Sequence, residues 1–103
     1  MAVQYLPASS VLLAVDNGVP VGFAATIHAT LAALFVLPSQ WRKGIGKKLL
    51  GHLFATHQAL ELAVYHKNRR GIAFYRCMGF IPFRNQVCPH TGEREMLMSW
   101  KRT

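Results

Sequence analysis

The run Leu34-Phe35-Val36-Leu37-Pro38-Ser39-Gln40-Trp41-Arg42-Lys43-Gly44-Ile45-Gly46-Lys47-Lys48-Leu49-Leu50 joins an apolar strand, a proline-broken turn, a basic glycine loop and the opening of a helix. That order concentrates anion-binding chemistry in one short segment. The first amides of a helix have no intrahelical partner and point outward. Gly44 and Gly46 carry no Cβ, so a ligand's oxygens can approach the backbone closely. Arg42, Lys43, Lys47 and Lys48 add positive charge on both sides. The segment is suited to a phosphate.

The elements that must position this loop belong to a chain of 103 residues, 51% hydrophobic and 16% charged, without repeats or low-complexity tracts. One domain spanning residues 1–103 with a substantial core is expected. Twelve Lys/Arg against four Asp/Glu give +8. That charge favours a polyanion: nucleic acid, an acidic membrane or a multiply phosphorylated small molecule. Cys77 and Cys88 match no metal spacing and make no disulfide framework, so reduced thiols in a cytoplasmic protein are expected. The N-terminus has no basic stretch of the signal-peptide kind. Val19 to Leu37 approaches the length of a membrane span. It contains Pro20, Gly22, Thr26, His28 and Thr30 and divides into two strands, so no membrane partner is expected.

In chain order, Val11 to Val15 forms a strand, Asp16-Asn17-Gly18 a turn, and Val21 to His28 the returning arm of a hairpin. Thr30 to Val36 is the third strand, ended by Pro38. A helix runs from about Gly44 to Leu60, with Ile45, Leu49, Leu53 and Leu60 on one face. Gly51 within it suggests close packing against the sheet. Leu62 to His66 is a strand entered from a helix, hence parallel to the third. Asn68 caps a second helix, Arg69 to Met78, and Gly79 fits its C′ position. Phe80 to Asn85 and Glu95 to Lys101 are strands flanking a polar loop from Val87 to Arg94. The fold class is α+β, with a mixed sheet in the order βββ-α-β-α-ββ.

Val36-x-Pro38 followed by Arg42-Lys43-Gly44-Ile45-Gly46-Lys47 resembles the acetyl-CoA loop of the GNAT family of N-acetyltransferases. Tyr65-His66-Lys67-Asn68, then Ala73-Phe74-Tyr75-Arg76-Cys77-Met78-Gly79-Phe80, resembles that family's second signature, N-x-x-A-x-x-F-Y-x-x-x-G-F, with one residue of spacing difference. The two motifs stand in the family's order, and the resemblance covers roughly Val11 to Trp100. It implies a GNAT fold and acetyl transfer from acetyl-CoA, as co-substrate, to an amine. Leu34, Phe35, Val36, Arg42, Lys43, Gly44, Ile45, Gly46, Lys47, Asn68 and Tyr75 are its implied cofactor-binding residues. Tyr75 is the implied proton donor to the leaving thiolate, since a tyrosine of pKa about 10 stays protonated where a thiol of about 8.5 begins to ionise.

Two departures stand out. Trp41 replaces the family's usual arginine or glutamine three residues before the first loop glycine. It would cover an adenine or simply pack. The family's first strand and two following helices, which wall the acceptor site, have no room before Val11, so an N-terminally abbreviated form is expected.

Plainer readings accompany each motif. A basic glycine loop is often only a solvated turn, Asn68 only a cap and Tyr75 only a packed aromatic. The family's general-base carboxylates are missing, with Ala32, Ala33 and Ala63 in that neighbourhood, which leaves water, His28 or His66. His52 and His57 lie five apart, off the i, i+4 spacing, and no metal site is expected. The rival readings are a CoA-binding protein without transfer and a small basic nucleic-acid binder. The second lacks an evident aromatic platform. Uncovered apolar residues such as Phe35 and Leu37, with Glu95 to Lys101 at a sheet edge, lead to the expectation of a homodimer.

Overall fold

The computed structural model describes residues 1–6 and 10–103. They divide into two compact units, Met1–His57 and Gln58–Thr103.

In the first unit β1 (Ala2–Tyr5), β2 (Val11–Asp16), β3 (Val19–Ile27) and β4 (Thr30–Val36) pair antiparallel in chain order. β1 is an addition to the expected pattern, because a strand does precede Val11 and pairs with β2 from Ala2↔Val15 to Tyr5↔Leu12. Asn17 and Gly18 take φ of 51° and 78°, as a two-residue hairpin turn between Asp16 and Val19 requires. β4 ends where expected. Pro38–Gln40 then makes one 3-10 turn, and α1 runs from Ile45 to Thr56.

α1 packs on β2, β3 and β4, burying Ile45, Leu49, Leu50 and Leu53 with Leu12, Ala14, Val21, Ala24 and Leu31. Full burial of each leucine contributes about 1.5–3 kcal/mol. Gly51 lies on the opposite, exposed side with open space where a Cβ would stand, which corrects its expected packing against the sheet. The helix also stops short of Leu60. Thr56 donates its hydroxyl to Leu53 O at 3.2 Å, the His57 ring meets the same carbonyl at 2.9 Å, and His57 is extended. Beyond it the period changes from helical to alternating, and Leu60 belongs to a strand.

The second unit contains β5 (Ala59–Tyr65), α2 (Arg69–Cys77), β6 (Ile81–Val87) and β7 (Arg94–Lys101). β5 buries Leu60, Leu62 and Val64 in strict alternation. Asn68 caps α2 as expected, its Oδ1 accepting from Gly71 N at 2.9 Å, and Gly79 follows the helix at φ 100°. β7 pairs antiparallel with both β5 and β6. The expected edge position of Glu95 to Lys101 is therefore corrected: β7 is central in its unit. An antiparallel strand with apolar residues on alternate positions gains burial by pairing on both sides, and the β6–β7 loop delivers it there.

Gly22 lies opposite Val36 in the β3–β4 register. A Cβ at Gly22 would stand 2.8 Å from the Phe35 carbonyl oxygen and 3.4 Å from Ile45 Cγ2. The missing side chain lets the first residue of α1 rest against the sheet beside the end of β4. Gly22→Ala is expected to destabilise the fold by about 1–3 kcal/mol, because backbone rather than a flexible side chain must give way. Urea denaturation measures this, and an unchanged midpoint would show the contact to be slack.

Candidate functional site

The loop between β4 and α1 is built from its ends inward. Leu37 N donates to Val21 O at 2.9 Å, so in the alternating antiparallel ladder Val36 directs its own N–H and C=O away from β3. Trp41 bends back and donates its indole N–H to that Val36 carbonyl at 2.8 Å. The indole therefore ties the loop to the end of β4. Arg42 then takes φ of 67° and Gly44 φ of 79°, alternations that turn successive amides inward. Arg42 is a non-glycine residue in this left-handed region, a strained conformation of the kind that concentrates at ligand sites.

Gly44 is the N-cap of α1, and the first intrahelical bond runs from Lys48 N to Gly44 O at 3.0 Å. The amides of Ile45, Gly46 and Lys47 are left at the helix start. No side chain caps them, and the first turn has no acidic residue. Nothing stands within 4 Å of the position a Gly44 Cβ would take, and Arg42, Lys43, Lys47 and Lys48 are all exposed. Open space, outward amides and four cations fit the phosphates of a nucleotide cofactor. Leu34 and Val36 are half-buried and Phe35 is exposed, its ring 5.9 Å from that of Phe23.

Tyr75 and Asn68 belong to the second unit, on α2 and at its cap. The Tyr75 ring makes edge contacts with Phe74 at 5.5 Å and Phe80 at 5.6 Å. Burial pushes its hydroxyl pKa above the ordinary tyrosine value. The hydroxyl is protonated throughout the neutral range.

The histidines divide differently. His28 occupies the β3–β4 turn at φ 55°, at the opposite end of β4 from Val36 and about 20 Å away along the strand. It does not join the loop. His66 lies just beyond β5, where Nε2 meets Asn85 Oδ1 at 2.8 Å; since that oxygen only accepts, Nε2 carries the hydrogen. Among the described residues no group of three His, Cys, Asp or Glu is arranged to hold a metal.

Two features escaped the sequence reading. One is the Trp41 tie, which no residue pattern announces. The other is Glu95, only 9% exposed, whose Oε1 accepts from Gln86 Nε2 at 2.6 Å. An acid inside an apolar-alternating strand was the available signal.

Within the first unit, the end of β4 and the cation-rich, uncapped start of α1 form a surface suited to an anionic ligand. The sequence model of the acetyltransferase (GNAT) domain matches residues 7–82. The chain belongs to the GNAT acetyltransferase family. It is 41% identical over 66 residues to the peptidyl-lysine N-acetyltransferase YiaC of Escherichia coli strain K12, covering 63% of this chain and 45% of that protein. The chain spans about half the length of the curated relatives it matches. The solution structure of apo YjaB from Escherichia coli superposes with a TM-score of 0.81 at 24% identity, over 91% of this chain and 66% of that one. Arabidopsis thaliana Naa50 in complex with the bisubstrate analogue CoA-Ac-MVNAL gives 0.79 at 22% identity, over 91% and 74%. The fold is therefore the expected α+β acyltransferase fold.

Proposed function

We propose that this chain is an N-acetyltransferase that moves an acetyl group from acetyl-CoA to a primary amine. The observation that carries the reading is the start of α1, uncapped by any side chain, surrounded by exposed cations and open above Gly44. The amides of Ile45, Gly46 and Lys47 hold the pyrophosphate, with Arg42, Lys43 and Lys47 neutralising its charge. Leu34, Phe35 and Val36 guide the pantetheine arm along β4. Asn68 contributes by fixing the start of α2, two turns before Tyr75.

Acetyl-CoA supplies the acyl thioester. The Val36 N–H, directed away from β3, donates to the carbonyl oxygen as charge develops there. The amine nitrogen bonds to the carbonyl carbon and gives its proton to water, while the carbon–sulfur bond breaks. Tyr75 passes its hydroxyl proton to the sulfur. YiaC is named for peptidyl-lysine, and that likeness supports a lysine side chain as the acceptor class.

Transfer and mere CoA binding are separated by a pair of variants. Gly44→Val places a β-branched residue at φ 79° and is expected to weaken acetyl-CoA binding about tenfold or more, roughly 1.4 kcal/mol. Tyr75→Phe is expected to keep that affinity and lose about 10²–10⁴-fold in turnover. Calorimetry and thiol-release kinetics read the two effects. A parent protein that binds acetyl-CoA yet acetylates no amine would favour the non-catalytic reading, which Ala32, Ala33 and Ala63 support by leaving the family's base positions without a carboxylate. Displacement of an oligonucleotide, rather than of CoA, from the basic loop would favour nucleic acid.

We further propose a homodimer in the cytoplasm. Phe35 and Leu37 are 46% and 37% exposed at the end of β4, and a second copy is the available cover. Cys77 and Cys88 are free thiols, as a reducing compartment requires. Among the described residues no helix is long and apolar enough to cross a membrane. Light scattering at micromolar concentration is expected to give twice the chain mass of 11.5 kDa; the single-chain mass would exclude the dimer.

A further inference from the structure

Glu95 has no part in the chemistry above, yet it is the buried one among only four Asp/Glu in the chain. Its cross-strand partners are Tyr65 in β5 and Gln86 in β6. The two-residue period places Ala63, Leu97 and Arg84 on the same sheet face. His66 and Asn85 fall on the other face, so His66 does not compete for this position.

The Gln86 amide satisfies one Oε1 lone pair of Glu95. Among the described residues no ion pair reaches the carboxylate. A carboxylate offers about four acceptor sites. The face beside it is open: Ala63 is exposed and presents only a methyl group, and Tyr65 is 41% exposed with an aromatic ring that suits a cation.

We propose that Glu95 is the acceptor-recognition carboxylate, holding an alkylammonium group of the lysine side-chain type against Tyr65. This deepens the acetyltransferase reading and rests on it for the identity of the ligand. Gln86 orients the carboxylate, and the remaining lone pairs receive the ammonium N–H groups. In a chain of charge +8, a buried carboxylate gives a cationic acceptor a place to dock that the surrounding surface does not.

The test titrates Nα-acetyl-lysine methylamide, and its uncharged norleucine counterpart, into the full chain by NMR. Parent protein is compared with Glu95→Gln and with Gln86→Leu. Expected are preference for the lysine probe in the parent, an affinity loss of about tenfold in Glu95→Gln, and a smaller loss in Gln86→Leu, which keeps the carboxylate but removes the bond that orients it. Acetyl-CoA affinity should be equal in all three, and in turnover Glu95→Gln should raise KM for the amine more than it lowers kcat. Equal lysine binding by parent and Glu95→Gln, equal loss in both variants, or no preference for lysine in the parent would overturn the assignment. Acetylation of the lysine probe is scored separately. Its absence alongside Glu95-dependent binding would fail the transfer reading and keep this site, while transfer unaffected by Glu95→Gln would do the reverse.

Discussion

The close seat of α1 on the sheet is the constraint from which the site follows. Gly22 has no side chain, so the Phe35 carbonyl and Ile45 Cγ2 occupy space a Cβ would fill. Ile45, 4% exposed, is the first residue of α1 and the neighbour of Gly44. Its burial therefore fixes both the helix start and the loop. A larger residue at position 22 would lift the helix origin away from Val36, and the amides would no longer converge beside the end of β4. Packing is decisive here because a helix start has little intrinsic rigidity, whereas close-packed contacts resist displacements of a few tenths of an ångström.

Charge and burial then divide the work. The loop is exposed and cationic, suited to drawing an anion from solvent, and no side chain caps the amides at its helix start. Tyr75 lies in the opposite kind of environment, where burial raises its hydroxyl pKa above the ordinary tyrosine value. Trp41 connects loop to scaffold by giving its indole N–H to Val36 O. That bond takes up the Val36 carbonyl while leaving the same residue's N–H directed away from β3.

What was legible in the sequence was local. Asn17-Gly18, Pro38, Gly44 and Asn68 each act on their immediate neighbours through backbone conformation or one hydrogen bond, and their positions hold. The end of α1 was hidden because Leu60 continues the helical spacing by coincidence, whereas the Thr56 hydroxyl and His57 ring terminate the helix. The position of β7 between β5 and β6 is a non-local pairing choice that periodicity does not encode. Gly51 reads alike on either face of a helix until the neighbouring leucines are placed. Trp41 and Glu95 were missed for the same reason, since each owes its role to a partner distant along the chain or across a strand pair.

The most direct measurement is a titration of the ¹⁵N-labelled chain with CoA, following backbone amides by NMR. The Ile45, Gly46 and Lys47 amide signals should move first and furthest, with Gly44 beside them and the β1–β2 pair unmoved. Saturable CoA binding that left those three amides in place would contradict the assignment of the α1 start as the phosphate site.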